Sequence, residues 1–166
     1  MRGLLAASSK KRSIWGNIGF RQQEAYECHL DGVADSVYII GPYMNNIGGC
    51  DRIRPYDTIL HLLDKYAARG HVVFEGVLIS DNFGQVGEWL ENKGKKALVV
   101  FLDTPLEVCL SNIAGRTEDA GTKHVERKFI EIQKVKGWFI ENDKVRVMDV
   151  SMKDGLEKVM GALRGG

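Results

Sequence analysis

Two stretches of the chain hold residue types and spacings that suit chemistry. In His71-Val72-Val73-Phe74-Glu75-Gly76-Val77-Leu78-Ile79-Ser80, bulky apolar residues run directly into a carboxylate and a glycine. A continuous apolar run flanked by breakers predicts a strand buried on both faces. An acid at its end then stands at the carboxyl edge of a sheet, where open α/β folds place their ligands. The same pattern also describes a core strand ending in a turn, with Glu75 as a solvated or capping acid. The second stretch is Gly41-Pro42-Tyr43-Met44-Asn45-Asn46-Ile47-Gly48-Gly49-Cys50-Asp51, a long loop rich in turn residues. Gly48 and Gly49 allow close backbone approach to a ligand, and Tyr43 offers a ring for stacking. Arg52 and Arg54 follow, either as anion grips or as surface charge. The loop lacks the G-K-[ST] ending of a phosphate-binding P-loop. His29 has no partners at metal-ligand spacing and reads as packing or surface.

The elements that position these groups follow from periodicity and punctuation. Ala25–Leu30 and Ser36–Gly41 read as strands joined through Asp31-Gly32, a hairpin pattern. Pro55 opens a helix with Asp57 in its first turn, and Gly70 follows its end. Ile59, Leu62, Leu63, Tyr66 and Ala67 form its core stripe. Asp81-Asn82 reads as the cap of a helix that places Phe83, Val86 and Leu90 inward and ends at Lys93-Gly94-Lys95-Lys96. Ala97–Leu102 is the clearest buried-strand pattern, closed by Asp103. Thr104-Pro105-Leu106-Glu107 is a capping box with proline at the first helical position, predicting an inner face of Leu106, Cys109, Leu110 and Ile113. The polar stretch Thr117–His124 reads as a loop. A long helix then points Val125, Phe129, Ile132, Val135, Phe139 and Ile140 inward. Lys144–Val150 is the last strand, and Ser151–Asp154 caps a helix with Leu156, Val159, Met160 and Leu163 inward. Alternating strands and helices from residue 36 onward predict a layered α/β fold with a mostly parallel sheet. Residues 1–20 read as a basic N-terminal arm or short helix, and residues 21–166 as a single domain.

Composition excludes some classes. With 166 residues, 44% apolar and 27% charged, the chain suits one globular core. A formal charge of +1 gives no global field toward nucleic acid or membrane, so such contacts must be local. Cys28, Cys50 and Cys109 are an odd set without C-x-x-C spacing, which argues against a disulfide framework or a zinc site and for a reducing cytoplasm. No apolar run approaches the roughly 20 residues of a membrane span.

Taken together, Tyr38-Ile39-Ile40-Gly41-Pro42-Tyr43, Gly48-Gly49-Cys50-Asp51, Gly70–Gly76 with Ser80, and Phe101–Leu110 resemble phage-encoded P-loop kinases. These are similar to nucleoside monophosphate kinases and to phage enzymes that phosphorylate 5-hydroxymethyluracil in DNA. The resemblance spans roughly residues 22–150 and keeps the motif order. It implies a phosphotransferase that uses ATP and Mg2+ on a nucleotide or a modified base in DNA. It further implies that Glu75 handles the magnesium ion or the acceptor hydroxyl and that Arg116 opens a lid, with Arg127 and Lys128 as further lid cations. Tyr43, Gly48, Gly49, Asp51, Arg52 and Ser80 would line the acceptor site. Phosphoryl transfer needs these types: carboxylates for metal or proton, arginines for phosphate, and a lid that excludes water. The sequence departs from the family in holding no G-x-x-x-x-G-K-[ST] loop. Its nearest stretch, Ser8–Ser13, has no preceding glycine. The implied fold is therefore P-loop NTPase-like with the first strand and phosphate loop missing. The alternative function is a non-catalytic relative that binds nucleotide, nucleic acid or a protein. A third reading takes the basic arm as a DNA or assembly tether.

Overall fold

Every residue of strand β3 (Val37–Ile40) is buried, and its unit is arranged about it. The computed structural model describes residues 1–16, 22–43, 48–53, 55, 57–76, 83–92, 97–114, 122–141 and 145–165. On one side β3 pairs antiparallel with β2 (Gln22–Leu30), Ala25 opposite Ile40 and Cys28 opposite Val37. On the other it pairs parallel with β4 (His71–Val73), Val37 opposite His71. Strand β1 (Ser8–Gly16) adds to the far side of β2, giving the order β1-β2-β3-β4.

This sheet is mixed, which corrects the expectation of a mostly parallel one. The segment from Asp31 to Ser36 returns the chain directly alongside itself, and so short a link permits only antiparallel pairing. The parallel step from β3 to β4 crosses over through helix α2 (Asp57–Ala67). The N-terminal residues, expected as a basic arm or short helix, form helix α1 (Arg2–Ala7) and then β1.

Both faces of β3 are covered. On one, Val37 and Ile39 join Leu4 and Leu5 of α1, Cys28, Leu30, Tyr43 and Met160 in a single cluster. On the other, α2 lays down Ile59, Leu62, Leu63 and Tyr66, the stripe predicted from its periodicity. There the rings of Tyr38 and Tyr66 stack with centroids 5.0 Å apart. Strand β4 is short, half-buried and at the sheet edge, not the strand buried on both faces that its apolar run suggests.

The described chain divides into two compact units, Met1–Ile79 with Val159–Gly166, and Ser80–Lys158. In the second, β5 (Ala97–Leu102) pairs parallel with β6 (Val145–Val150) over their full lengths. Strand β5 is half-buried and Leu102 is 53% exposed, against the fully buried strand expected there. Helix α5 (Thr122–Glu141) packs on β6 and against α4 (Leu106–Ala114). Trp138 of α5 meets Phe83 of α3 (Phe83–Asn92) edge-on at 5.5 Å. A Cβ at Gly87 would come within 2.5 Å of the Trp138 ring, so α3 approaches that indole as only glycine allows. Val135 and Phe139 are buried as expected, whereas Ile140, a further ~100° round the helix, is 61% exposed.

The two predicted caps differ. Thr104 does not close a capping box: its buried hydroxyl has no hydrogen-bond partner, and the Val108 and Cys109 amides donate to the Pro105 carbonyl. Cys109 is half-buried rather than buried. Ahead of α6 (Gly155–Arg164) the cap is complete, the Ser151 amide donating to Asp154 Oδ1 at 2.7 Å and the Asp154 amide to Ser151 Oγ at 3.3 Å. Leu156, expected inward, is 44% exposed. The Asp81-Asn82 cap and the lysines at 93–96 lie outside the described residues.

Candidate active site

Three segments of the first unit converge: Gly41–Tyr43, the 3-10 turn Gly49–Arg52, and Glu75–Gly76 just beyond β4. Their backbones are tied directly. The Gly49 amide donates to the Pro42 carbonyl at 3.1 Å and the Cys50 amide to the Glu75 carbonyl at 2.8 Å. Glycine is required for this packing. Gly49 sits at φ 77°, and a Cβ there would lie 2.8 Å from the Glu75 carbonyl, 3.0 Å from Glu75 Cγ and 3.2 Å from the Tyr43 hydroxyl. A Cβ at Gly76 would stand 2.7 Å from Asp51 Oδ1, and one at Gly48 would stand 2.9 Å from the Tyr43 ring. Tyr43, Gly48, Gly49, Asp51 and Glu75, named from the sequence as one site, are therefore neighbours in space.

The electrostatics separate their roles. Glu75 is 50% exposed, with the Met1 α-ammonium 3.9 Å from its Oε2. Tyr43 is buried, and its hydroxyl finds no hydrogen-bond partner among the described residues. Burial first, and the nearby Glu75 carboxylate second, push that hydroxyl far above the usual tyrosine range, so it stays a neutral O–H. Cys50 is sealed beneath the turn, where burial and then Asp51 push its thiol up to about 12. A thiol that does not ionise near neutrality is no nucleophile, so Cys50 is packing. The site thus offers a solvent-accessible carboxylate beside a neutral hydroxyl. The carboxylate can accept a proton from a ligand hydroxyl, while the Tyr43 hydroxyl is sealed from solvent beside it.

Among the described residues, no group of three or more His, Cys, Asp or Glu side chains comes together to hold a metal ion. A triphosphate fits the turn poorly. The Gly49 and Cys50 amides, which a phosphate cradle needs, are already donated within the protein.

The remaining sequence-predicted residues fall elsewhere. Arg52 is exposed at the end of the turn. Ser80 and Arg116 lie outside the described residues. Arg127 and Lys128 belong to α5 of the second unit, where both pair with Glu131, Arg127 at 3.7 Å and Lys128 at 2.9 Å.

Sequence reasoning missed a second cluster of acids in the first unit. Glu24 is 7% exposed and is held by Lys65 Nζ at 2.6 Å and the Tyr66 hydroxyl at 2.9 Å. Glu27 accepts from the Tyr38 hydroxyl at 2.9 Å and pairs with Arg12. The Tyr38 hydrogen bond first, then Arg12, hold the Glu27 carboxyl below the usual range against its desolvation. The Arg69 guanidinium stands over the Tyr38 ring at 5.1 Å and the Tyr66 ring at 5.8 Å. Nothing local signalled these contacts, since Glu24 meets partners 41 and 42 residues away.

Comparison with known proteins returns phage enzymes. The chain is 34% identical over 97 residues to a 5-hmdU DNA kinase of Pseudomonas phage PaMx11, an alignment covering 58% of this chain and 50% of the relative. It is 36% identical over 90 residues to a 5-hmdU DNA kinase of Pseudomonas phage M6, covering 49% of this chain and 48% of that protein. The chain thus spans about half the length of the curated relatives it matches. No family model and no solved structure matches it. Over about half of its length, this chain is a relative of phage-encoded kinases.

Proposed function

We propose that the protein is a phosphotransferase that moves the ATP γ-phosphate to a hydroxyl of a modified base in DNA, or of the corresponding nucleotide. The observation that carries this reading is the exposed carboxylate of Glu75 beside the sealed Tyr43 hydroxyl, in a chain whose relatives are named 5-hmdU DNA kinases. Glu75 takes the proton of the attacking hydroxyl; a magnesium ion, if Glu75 and Asp51 held one, would supply neutralisation of the phosphate charge. Tyr43 and the Gly48-Gly49 backbone shape the acceptor pocket. Arg52 completes the acceptor side in the first unit, and the resemblance assigns Arg116, Arg127 and Lys128 to a phosphate-binding lid and Ser80 to the acceptor lining. The committed amides of the turn support a donor site built from other groups.

The test is transfer of label from γ-labelled ATP with Mg2+ to three acceptors. These are duplex DNA containing 5-hydroxymethyluracil, the same duplex with thymine, and the free 5-hydroxymethyl nucleotide. Label on the modified duplex or nucleotide but not on the thymine duplex is the expected result. Absence of label from all three, with the protein folded, would favour the non-catalytic binding reading.

A further inference from the structure

Beyond the Glu75 site, one face of the first unit's sheet carries a charged cluster built around Glu24 and Glu27. Strand register places its groups. Lys10 lies opposite His29 and Arg12 opposite Glu27 on the β1–β2 ladder, and Glu27 lies opposite Tyr38 on β3. Arg69 caps the Tyr38 and Tyr66 rings from the end of the α2 segment. The acids of this face are recessed, with Glu24 7% and Glu27 15% exposed, while Arg12 is 69% exposed. Lys10 and Arg69 are exposed as well, and neither makes an ion pair among the described residues. Lys65 pairs with Glu24 and Arg12 with Glu27, and the Arg69 charge also acts on Glu27, so the four cations Lys10, Arg12, Lys65 and Arg69 face two carboxylates and leave this face net positive.

The alternative of ordinary solvated charge accounts poorly for Arg69. A surface arginine normally wanders, whereas the Arg69 guanidinium lies within 6 Å of the centroids of two stacked rings, at 5.1 Å and 5.8 Å. An arginine held in place by stacking is suited to pair with phosphate. Lys10 and Arg12, two residues apart on an extended strand, stand roughly 6.7 Å apart along the chain and can reach separate phosphates. Strand β1 is also the outer strand of the four-stranded sheet among the described residues, so its exposed cations stand at the sheet's rim.

We propose that Lys10, Arg12 and Arg69 form a surface that holds the phosphate backbone of duplex DNA. The proposal rests on the reading that the acceptor base lies in DNA. It adds that the enzyme grips the duplex through a sequence-independent backbone site distinct from Glu75. Backbone contacts position a duplex without reading its sequence, which suits an enzyme whose target is a chemical modification.

Fluorescence anisotropy of the full chain with a short labelled duplex of unmodified DNA, titrated with salt, tests this. Arg69→Ala and Lys10→Glu are each expected to weaken binding roughly 3- to 10-fold at low salt and to lower the salt slope by about 1. Arg69→Lys should recover part of the loss, and thermal melting should show the variants folded. Variants that bind like the wild type, or a wild type that ignores duplex DNA, would overturn the proposal. So would variants that lose binding only to phosphatidylserine vesicles. Normal transfer to modified DNA by a wild type whose variants keep full DNA binding sinks this surface and leaves the kinase reading standing. Variant-sensitive DNA binding by a wild type without transfer activity does the reverse.

Discussion

Glu24 and Glu75 are both glutamates beside a tyrosine in the same unit, and they are treated in opposite ways. Glu24 is 7% exposed and takes a lysine at 2.6 Å and a tyrosine hydroxyl at 2.9 Å. Glu75 is 50% exposed, the Met1 α-ammonium stands 3.9 Å away, and the neighbouring Tyr43 hydroxyl has no hydrogen-bond partner among the described residues. A buried carboxylate without partners is costly, so Glu24 is satisfied by its fold. An accessible carboxylate is satisfied by water and stays free to meet a ligand. One acid holds the sheet to α2; the other is available for chemistry.

That contrast predicts where damage lands. Glu24→Ala strands the Tyr66 hydroxyl and frees Lys65, and should lower unfolding stability by about 3 kcal/mol in a denaturant titration. A loss under 1 kcal/mol would put Glu24 and Glu75 in the same class. Next in size is Gly49→Ala. Its φ of 77° and a Cβ 2.8 Å from the Glu75 carbonyl predict a loss of about 2 kcal/mol and displacement of Glu75 with a fall in transfer.

How much of this the residues announce in advance depends on the range of the interaction. The α2 stripe was legible because Ile59, Leu62, Leu63 and Tyr66 repeat at helical spacing. The β2–β3 hairpin was legible from Asp31-Gly32 between two apolar runs. Strand β1 was not, because Ser9, Lys10, Lys11, Arg12 and Ser13 are all exposed and carry no apolar alternation. Its extended form comes from the ladder with β2. The β1–β2 pairing, which makes the sheet predominantly antiparallel, was equally hidden, since nothing in the polar run of β1 announces a strand to be paired. Of the site, Glu75 and the Gly48-Gly49 turn were readable from an acid and glycines at a strand end. The neutral state of Tyr43 and the sealed Cys50 were not, because burial is a property of the assembled core.

Smaller effects sharpen the same comparison. Tyr43→Phe removes a buried hydroxyl that has no partner, so stability should rise by about 1 kcal/mol while transfer falls. A drop in stability would mean that the hydroxyl serves structure as Tyr66 does. Smallest is Asp154, whose carboxyl is lowered from 3.8 to about 2 by the Lys158 hydrogen bond first and Ser151 second. A depressed carboxyl contributes stability that is full above its unfolded value and is lost as pH falls through its folded one. Asp154→Asn should therefore melt slightly below wild type at neutral pH, with the gap closing between pH 3.8 and about 2. A gap that stays constant with pH would assign the cap to shape and not to charge.

The most direct test of the division between the two acids is Glu75→Gln, measured for stability and for label transfer to duplex DNA containing 5-hydroxymethyluracil. An exposed carboxylate used for chemistry predicts an unchanged melting curve and transfer reduced roughly 100-fold or more. Transfer at the wild-type rate, or a fall matched by an equal loss of folded protein, would contradict the assignment.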